Sequence, residues 1–189
     1  MDARVADFLG DLFGSWGFNQ AFCRNWLHMN IEDDEMRDIP NPWNEMQLHI
    51  SYKFAEAFSL LGLGAGLVLA RKPNRLRKMG QAAFLGTCIG AGPVGFTAWP
   101  LGTWQGPNWK GSTLKDDEIY DRAYRLRYNR HQIRVDQAFE AGCQLGLVGG
   151  LVISRSIGAA VADCGTLGVV GTLGSIGYIA YAKPDKLKW

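Results

Sequence analysis

Residues Met79 to Trp99, MGQAAFLGTCIGAGPVGFTAW, run for 21 positions without a charged side chain. As a helix rising 1.5 Å per residue, that length spans about 30 Å, the thickness of a bilayer's hydrocarbon core. Three more stretches share its composition: about 54–70, 138–154 and 157–182, the last interrupted only by Asp163. All four are rich in glycine, and the chain holds 24 glycines in 189 residues against an ordinary share of about 7%. In an exposed helix in water each glycine costs about 1 kcal/mol relative to alanine, which argues against a soluble bundle of core helices. In a bilayer the balance reverses, because small residues let helix backbones approach closely where no water drives them together. Mean hydropathy is only −0.09 because the charges are segregated into the N-terminal fifth, one short hairpin and one central segment.

Two of the stretches repeat each other. At an offset of 84, Ala55–Lys72 and Phe139–Ser156 share nine of eighteen residues, among them Glu56/Glu140 at the start and Arg71/Arg155 at the end. Low complexity explains matching Gly and Leu, but not the paired Glu and Arg. The spacing predicts two helical hairpins related by internal duplication, with their first helices running in the same direction. Each copy carries GxxxG, Gly62 with Gly66 and Gly146 with Gly150, and the second stretch adds Gly86 and Gly90, a pattern that predicts glycine-zipper packing. Acids inside a membrane are functional candidates by default, so Glu56, Glu140 and Asp163 stand out. Glu56 and Glu140 also sit near segment starts, where a carboxylate reaches the interface or favours a helix N-terminus.

The remaining chain is polar. Residues 1–52 read as short helices with a turn around Pro40 and Pro42, and RKPNRLRK (Arg71, Lys72, Arg75, Arg77, Lys78) joins the first two stretches with five positive charges. Residues 100–137 begin with a turn-rich link, in which Trp104 and Trp109 suit interfacial depth. From Thr113 a capping-box-like start and the i,i+4 pairs Glu118/Arg122 and Asp121/Arg125 predict a helix over about 114–137. Its Tyr120, Tyr124, Arg125, Arg127 and Tyr128 offer stacking and bidentate groups suited to a protein partner. The basic hairpin sets topology or holds anionic lipid such as cardiolipin.

Several function classes are disfavoured. A net charge of +2 gives no footprint for nucleic acid. Cys23, Cys88, Cys143 and Cys164 lack metal-ligand spacing and read as buried free thiols. His28, His49 and His131 are isolated, and no nucleotide loop or nucleophile elbow is present, so neither catalysis nor a cofactor is expected. The N-terminal sequence matches neither a secretory signal nor an Arg-rich, acid-poor transit peptide, which leaves targeting to internal segments.

Four glycine-rich helices, a basic hairpin after the first and an internal repeat resemble the mitochondrial inner-membrane translocase (Tim) family. The likeness rests on GLGAGLVLARK, MGQAAFLGTCIGAGPVG and GLVGGLVIS and covers about residues 52–182. That family includes import-channel components and an accessory subunit of respiratory complex I. The long N-terminal segment and DDEIYDRAYRLRYNRHQIRVD depart from the compact translocase pattern and suit a subunit that holds on to neighbours. The resemblance implies the termini and central loop in the intermembrane space and RKPNRLRK in the matrix.

The expectation is therefore an all-α membrane protein of four transmembrane helices in residues 53–182, with a soluble helical N-terminal segment, a central extramembrane helix and a tail at 183–189. Its expected role is that of a non-catalytic accessory subunit of an inner-membrane respiratory assembly, with other subunits and membrane lipids as partners. The alternative is an import translocase component.

Overall fold

The computed structural model describes residues 20–27, 32–69, 73–97 and 116–182, and every element among them is helical. They are α1 (Gln20–Trp26), α2 (Asp33–Arg37), α3 (Pro42–Leu69), α4 (Arg75–Ile89) with a π-helical turn Gly90–Val94, α5 (Asp116–Tyr128), α6 (Arg130–Ser154) and α7 (Ile157–Ala182). Thr113, Trp104, Trp109, Arg71, Lys72 and the tail lie outside the described residues.

Local chemistry moves two boundaries away from the hydropathy pattern. The first apolar stretch belongs to a helix that starts at Pro42. Asn41 Oδ1 accepts from the Asn44 amide at 3.2 Å, and Pro42 takes the first helical position, where a missing N–H costs nothing. The expected 114–137 helix is instead divided at Asn129, whose Oδ1 caps the Gln132 amide at 3.2 Å and starts α6. The polar turns of α6 then continue without a break into the third apolar stretch.

The chain divides into two compact units, residues 1–50 with 97–133, and residues 51–96 with 134–189. Among the described residues two helices, Pro42–Leu69 and Ile157–Ala182, are long and apolar enough to cross a membrane.

The second unit is a pair of helical hairpins whose contacts repeat. A methyl group added to Gly62 or Gly66 would collide with α4 at Ala82 or Met79, and one on Gly146 or Gly150 would collide with α7 at Asp163 or Ala160. Gly86 and Gly90 lie against the Phe58 and Phe54 carbonyls, while Gly142 lies against Leu167 and Gly171 against Ala138. Each contact maps onto its counterpart with one constant pair of offsets, 84 residues for the first helices (Gly62 to Gly146) and 81 for the second (Met79 to Ala160). Helices α4 and α7 pack in parallel. Arg77 donates to Ser156 Oγ at 3.1 Å, Gly80 abuts Ala162, and Gly165 abuts Phe84, its own counterpart at offset 81.

Both interhelix turns need a left-handed residue, supplied by Asn74 (φ 72°) and Arg155 (φ 47°). Asparagine visits that region readily, whereas arginine does so at a cost. The π-turn follows from Pro93, which has no N–H to continue the helical ladder.

This unit is apolar outside. Val68 is 81% exposed, Leu69 76%, Val152 69% and Ile153 84%, while Glu56, Ser59, Asp136 and Thr172 are buried. That distribution inverts the one expected of a domain in water.

Candidate functional site

Apart from Thr172, which bonds back to the Gly168 carbonyl within α7, the buried polar side chains of this unit gather where α3 meets α6. Lys53 Nζ binds Glu56 Oε2 at 2.8 Å, one helical turn on, and also pairs with Asp136 of α6. Glu56 is 6% exposed and Asp136 1%, and Lys53 lies against both carboxyls. Ser59, fully buried, donates to the Glu56 carbonyl at 2.7 Å. Half-buried Glu140 accepts from the Tyr52 hydroxyl at 3.1 Å and from Gln144 Nε2 at 2.9 Å.

These contacts obey the same repeat as the glycines. At offset 84, Tyr52 corresponds to Asp136 and Glu56 to Glu140. Tyr52 meets Glu140, and at the counterpart positions Asp136 and Glu56 share Lys53. Of the acids singled out from sequence, Glu56 and Glu140 are thus brought into one cluster. Asp163 lies apart, exposed on α7, with its backbone carbonyl against Gly146. Tyr52, Lys53 and Asp136 escaped notice because they border the apolar stretches. Extending the repeat four residues upstream of Glu56 and Glu140 would have revealed them.

Gly62, Gly66, Gly86, Gly90, Gly146 and Gly150 all face a neighbouring helix, whereas Gly64, Gly92, Gly149, Gly174 and Gly177 face open space. At the end of the unit away from the acid cluster, Arg75, Arg77 and Lys78 are exposed beside Arg155 and Ser156. Arg75 donates to the Leu67 carbonyl at 2.6 Å and closes the C-terminus of α3. The thiols are free, as expected, and Cys23 and Cys164 are buried, but Cys143 is half-buried and Cys88 is exposed. Its α4 face also carries exposed Leu85 and Ile89, an apolar surface on which a thiol is unremarkable.

In the first unit the central group is Arg127, 2% exposed, which pairs with Glu45, 1% exposed. Its Nε donates to Glu45 Oε2 at 2.8 Å, and Nη1 donates to the carbonyls of Met36 and Asp38, each at 3.2 Å. Asn25 donates to the Arg127 carbonyl at 3.0 Å, so one residue gathers α1, the end of α2, α3 and α5. Among the residues offered for partner contact, Arg127 is therefore committed inward. Along α5 Tyr120 and Tyr124 stack with ring centroids 6.4 Å apart, and the Tyr128 ring lies tilted against Tyr124 at 4.8 Å. Tyr120 donates to the Arg37 carbonyl at 2.5 Å, Tyr128 pairs with Asp33, and Arg125 with Asp121. Burial, with Glu45 adding to it, pushes the Cys23 thiol above its ordinary range.

Among the described residues no group of three or more His, Cys, Asp or Glu is arranged to hold a metal ion. Residues 22–170 match the family described as protein of unknown function (DUF1757), and the chain belongs to that family. No curated protein matches the chain.

Proposed function

We propose that this member of the DUF1757 family is a membrane-embedded, non-catalytic accessory subunit whose second unit crosses the bilayer four times as two duplicated, glycine-zippered hairpins. The observation that carries the reading is the inverted distribution of polarity, with exposed leucine, valine and isoleucine around buried Glu56, Asp136 and Ser59. Such a surface is stable against lipid or against other apolar helices. Helices α4 and α6 then span alongside α3 and α7, since the close contacts of one hairpin recur in the other.

The resemblance carried by GLGAGLVLARK and its echo supports a mitochondrial inner-membrane site in a respiratory assembly, complex I first. The basic turn then faces the matrix, where Arg75, Arg77 and Lys78 contact anionic headgroups such as cardiolipin. The first unit supports a gripping role. Its fold is fixed internally by Arg127, leaving the edges of Tyr120 and Tyr128 and the Arg125 side chain at the surface for neighbouring subunits.

Extraction in mild detergent followed by native gel electrophoresis tests the assignment. The chain is expected to comigrate with a large NADH-oxidising assembly and to resist alkaline carbonate extraction. Migration in a small complex that crosslinks to translocating preproteins would overturn it in favour of import.

A further inference from the structure

We propose that the outward face of α7 seats a transmembrane helix of a neighbouring subunit, one that presents a lysine or arginine level with Asp163. The seat rests on the membrane-embedded reading of this unit. Asp163, Leu167, Val170, Gly174, Gly177 and Tyr181 follow one another at spacings of 4, 3, 4, 3 and 4, and every one of them is exposed. That alternation is the seam of two helices crossing at about 20°. The buried Gly165, Val169 and Thr172 lie on the opposite side of the helix, so the seam faces away from the interior of its own unit.

Two features of the seam select a helix over lipid. Elsewhere the outer surface of the unit is made of branched apolar side chains, such as the exposed Val148, Val152 and Ile153 of α6, which suit acyl chains. The α7 seam instead has Gly174 and Gly177, whose Cβ positions meet open space and would let a second backbone come close. Asp163 identifies the visitor's chemistry. It lies six residues past the start of α7, about 9 Å along the axis, and its short side chain cannot reach back to the headgroups as a lysine or arginine does. A carboxylate facing outward at that depth calls for an opposite charge. The other acids of the unit are served from within it, Glu56 and Asp136 by Lys53 and Glu140 by Tyr52 and Gln144. Among the described residues no ion pair includes Asp163, while Arg77 donates to Ser156 Oγ at 3.1 Å and Arg75 to the Leu67 carbonyl at 2.6 Å. The matching charge therefore arrives with the partner helix.

Site-specific photocrosslinking of the full chain in intact membranes tests this, with the probe at Val170 on the seam or at Val152 off it. Val170 is expected to capture one transmembrane segment that holds a lysine or arginine, identified by mass spectrometry of the crosslinked peptide, and Val152 is expected not to capture it. Asp163→Lys should then abolish copurification of that subunit in mild detergent, and changing the partner's basic residue to aspartate should restore it. Gly177→Leu should also lose the partner while leaving the chain's own unfolding temperature unchanged, which separates a docking defect from a folding one. A captured segment without a basic residue, a second copy of this chain, a translocating preprotein or lipid alone at Val170 overturns the proposal, as does undiminished copurification with Asp163→Lys and Gly177→Leu. A wild-type chain that resists alkaline carbonate but fails these tests removes the docking face alone, whereas release by carbonate removes the membrane reading with it.

Discussion

Arg127 shows how much one side chain can organise. Its guanidinium neutralises Glu45 and satisfies the carbonyls at the end of α2, where the chain must turn toward α3. Removing one partner of a buried ion pair costs about 3–5 kcal/mol, chiefly because the other charge stays behind. Arg127→Ala is therefore expected to destabilise the first unit by that amount, read by chemical denaturation through the fluorescence of Trp26 and Trp43. The double replacement Arg127→Met with Glu45→Leu should recover most of the loss, since it removes both charges and fills the space. A single variant as stable as the wild type would show that the pair contributes nothing. Cys23 gives a second expectation at this scale. Buried and pushed toward its unreactive thiol form, it should resist alkylation at neutral pH until the unit unfolds. Sequence exposed the residue types here but not their direction. Arg127 lies among outward-facing Tyr and Arg residues, and only the placement of Glu45 far along the chain decides that it turns in.

At the scale of the element, the glycines divide into two populations that sequence does not separate. Gly66 and Gly86 press on a neighbouring helix, whereas Gly64 faces open space one turn or less away from Gly66. Overpacking a close contact costs about 1–3 kcal/mol. Gly66→Leu and Gly86→Leu should each lower the unfolding temperature of the chain in mild detergent, while Gly64→Leu should leave it unchanged. Equal unfolding temperatures for all three would refute close packing as the role of the buried set. The glycine-rich helices were legible from composition, and the duplication was legible in the first helix of each hairpin. It was invisible in the second helices for a physical reason. A close backbone contact needs one small residue, and either partner can provide it: Gly86 against Phe58 in one hairpin, Gly142 against Leu167 in the other. The contact persists while the identities drift.

For the whole molecule, the parallel packing of α4 and α7 brings the two interhelix turns to the same end of their unit. In sealed vesicles, Lys78→Cys and Ile157→Cys should both react with a membrane-impermeant maleimide from one and the same side. Labelling from opposite sides would refute two parallel hairpins. Composition made the class of fold legible and left the acid cluster hidden, since Tyr52, Lys53 and Asp136 sit where apolar stretches give way to polar flanks. Hydropathy averages over such borders, and the caps at Asn41 and Asn129 carry α3 and α6 straight through them.

The two offsets of the repeat, 84 and 81, differ by the length of the interhelix turn, which is three residues shorter in the second copy. The helices nevertheless meet in the same register, so the turn does not set it. An epitope spliced beside Pro73 should therefore leave both helices seated as before. One residue inserted between Gly86 and Gly90 would instead rotate the rest of that helix by about 100° and carry its contact face away from Phe54. Length change is tolerated at the ends of the hairpins and forbidden along their seams.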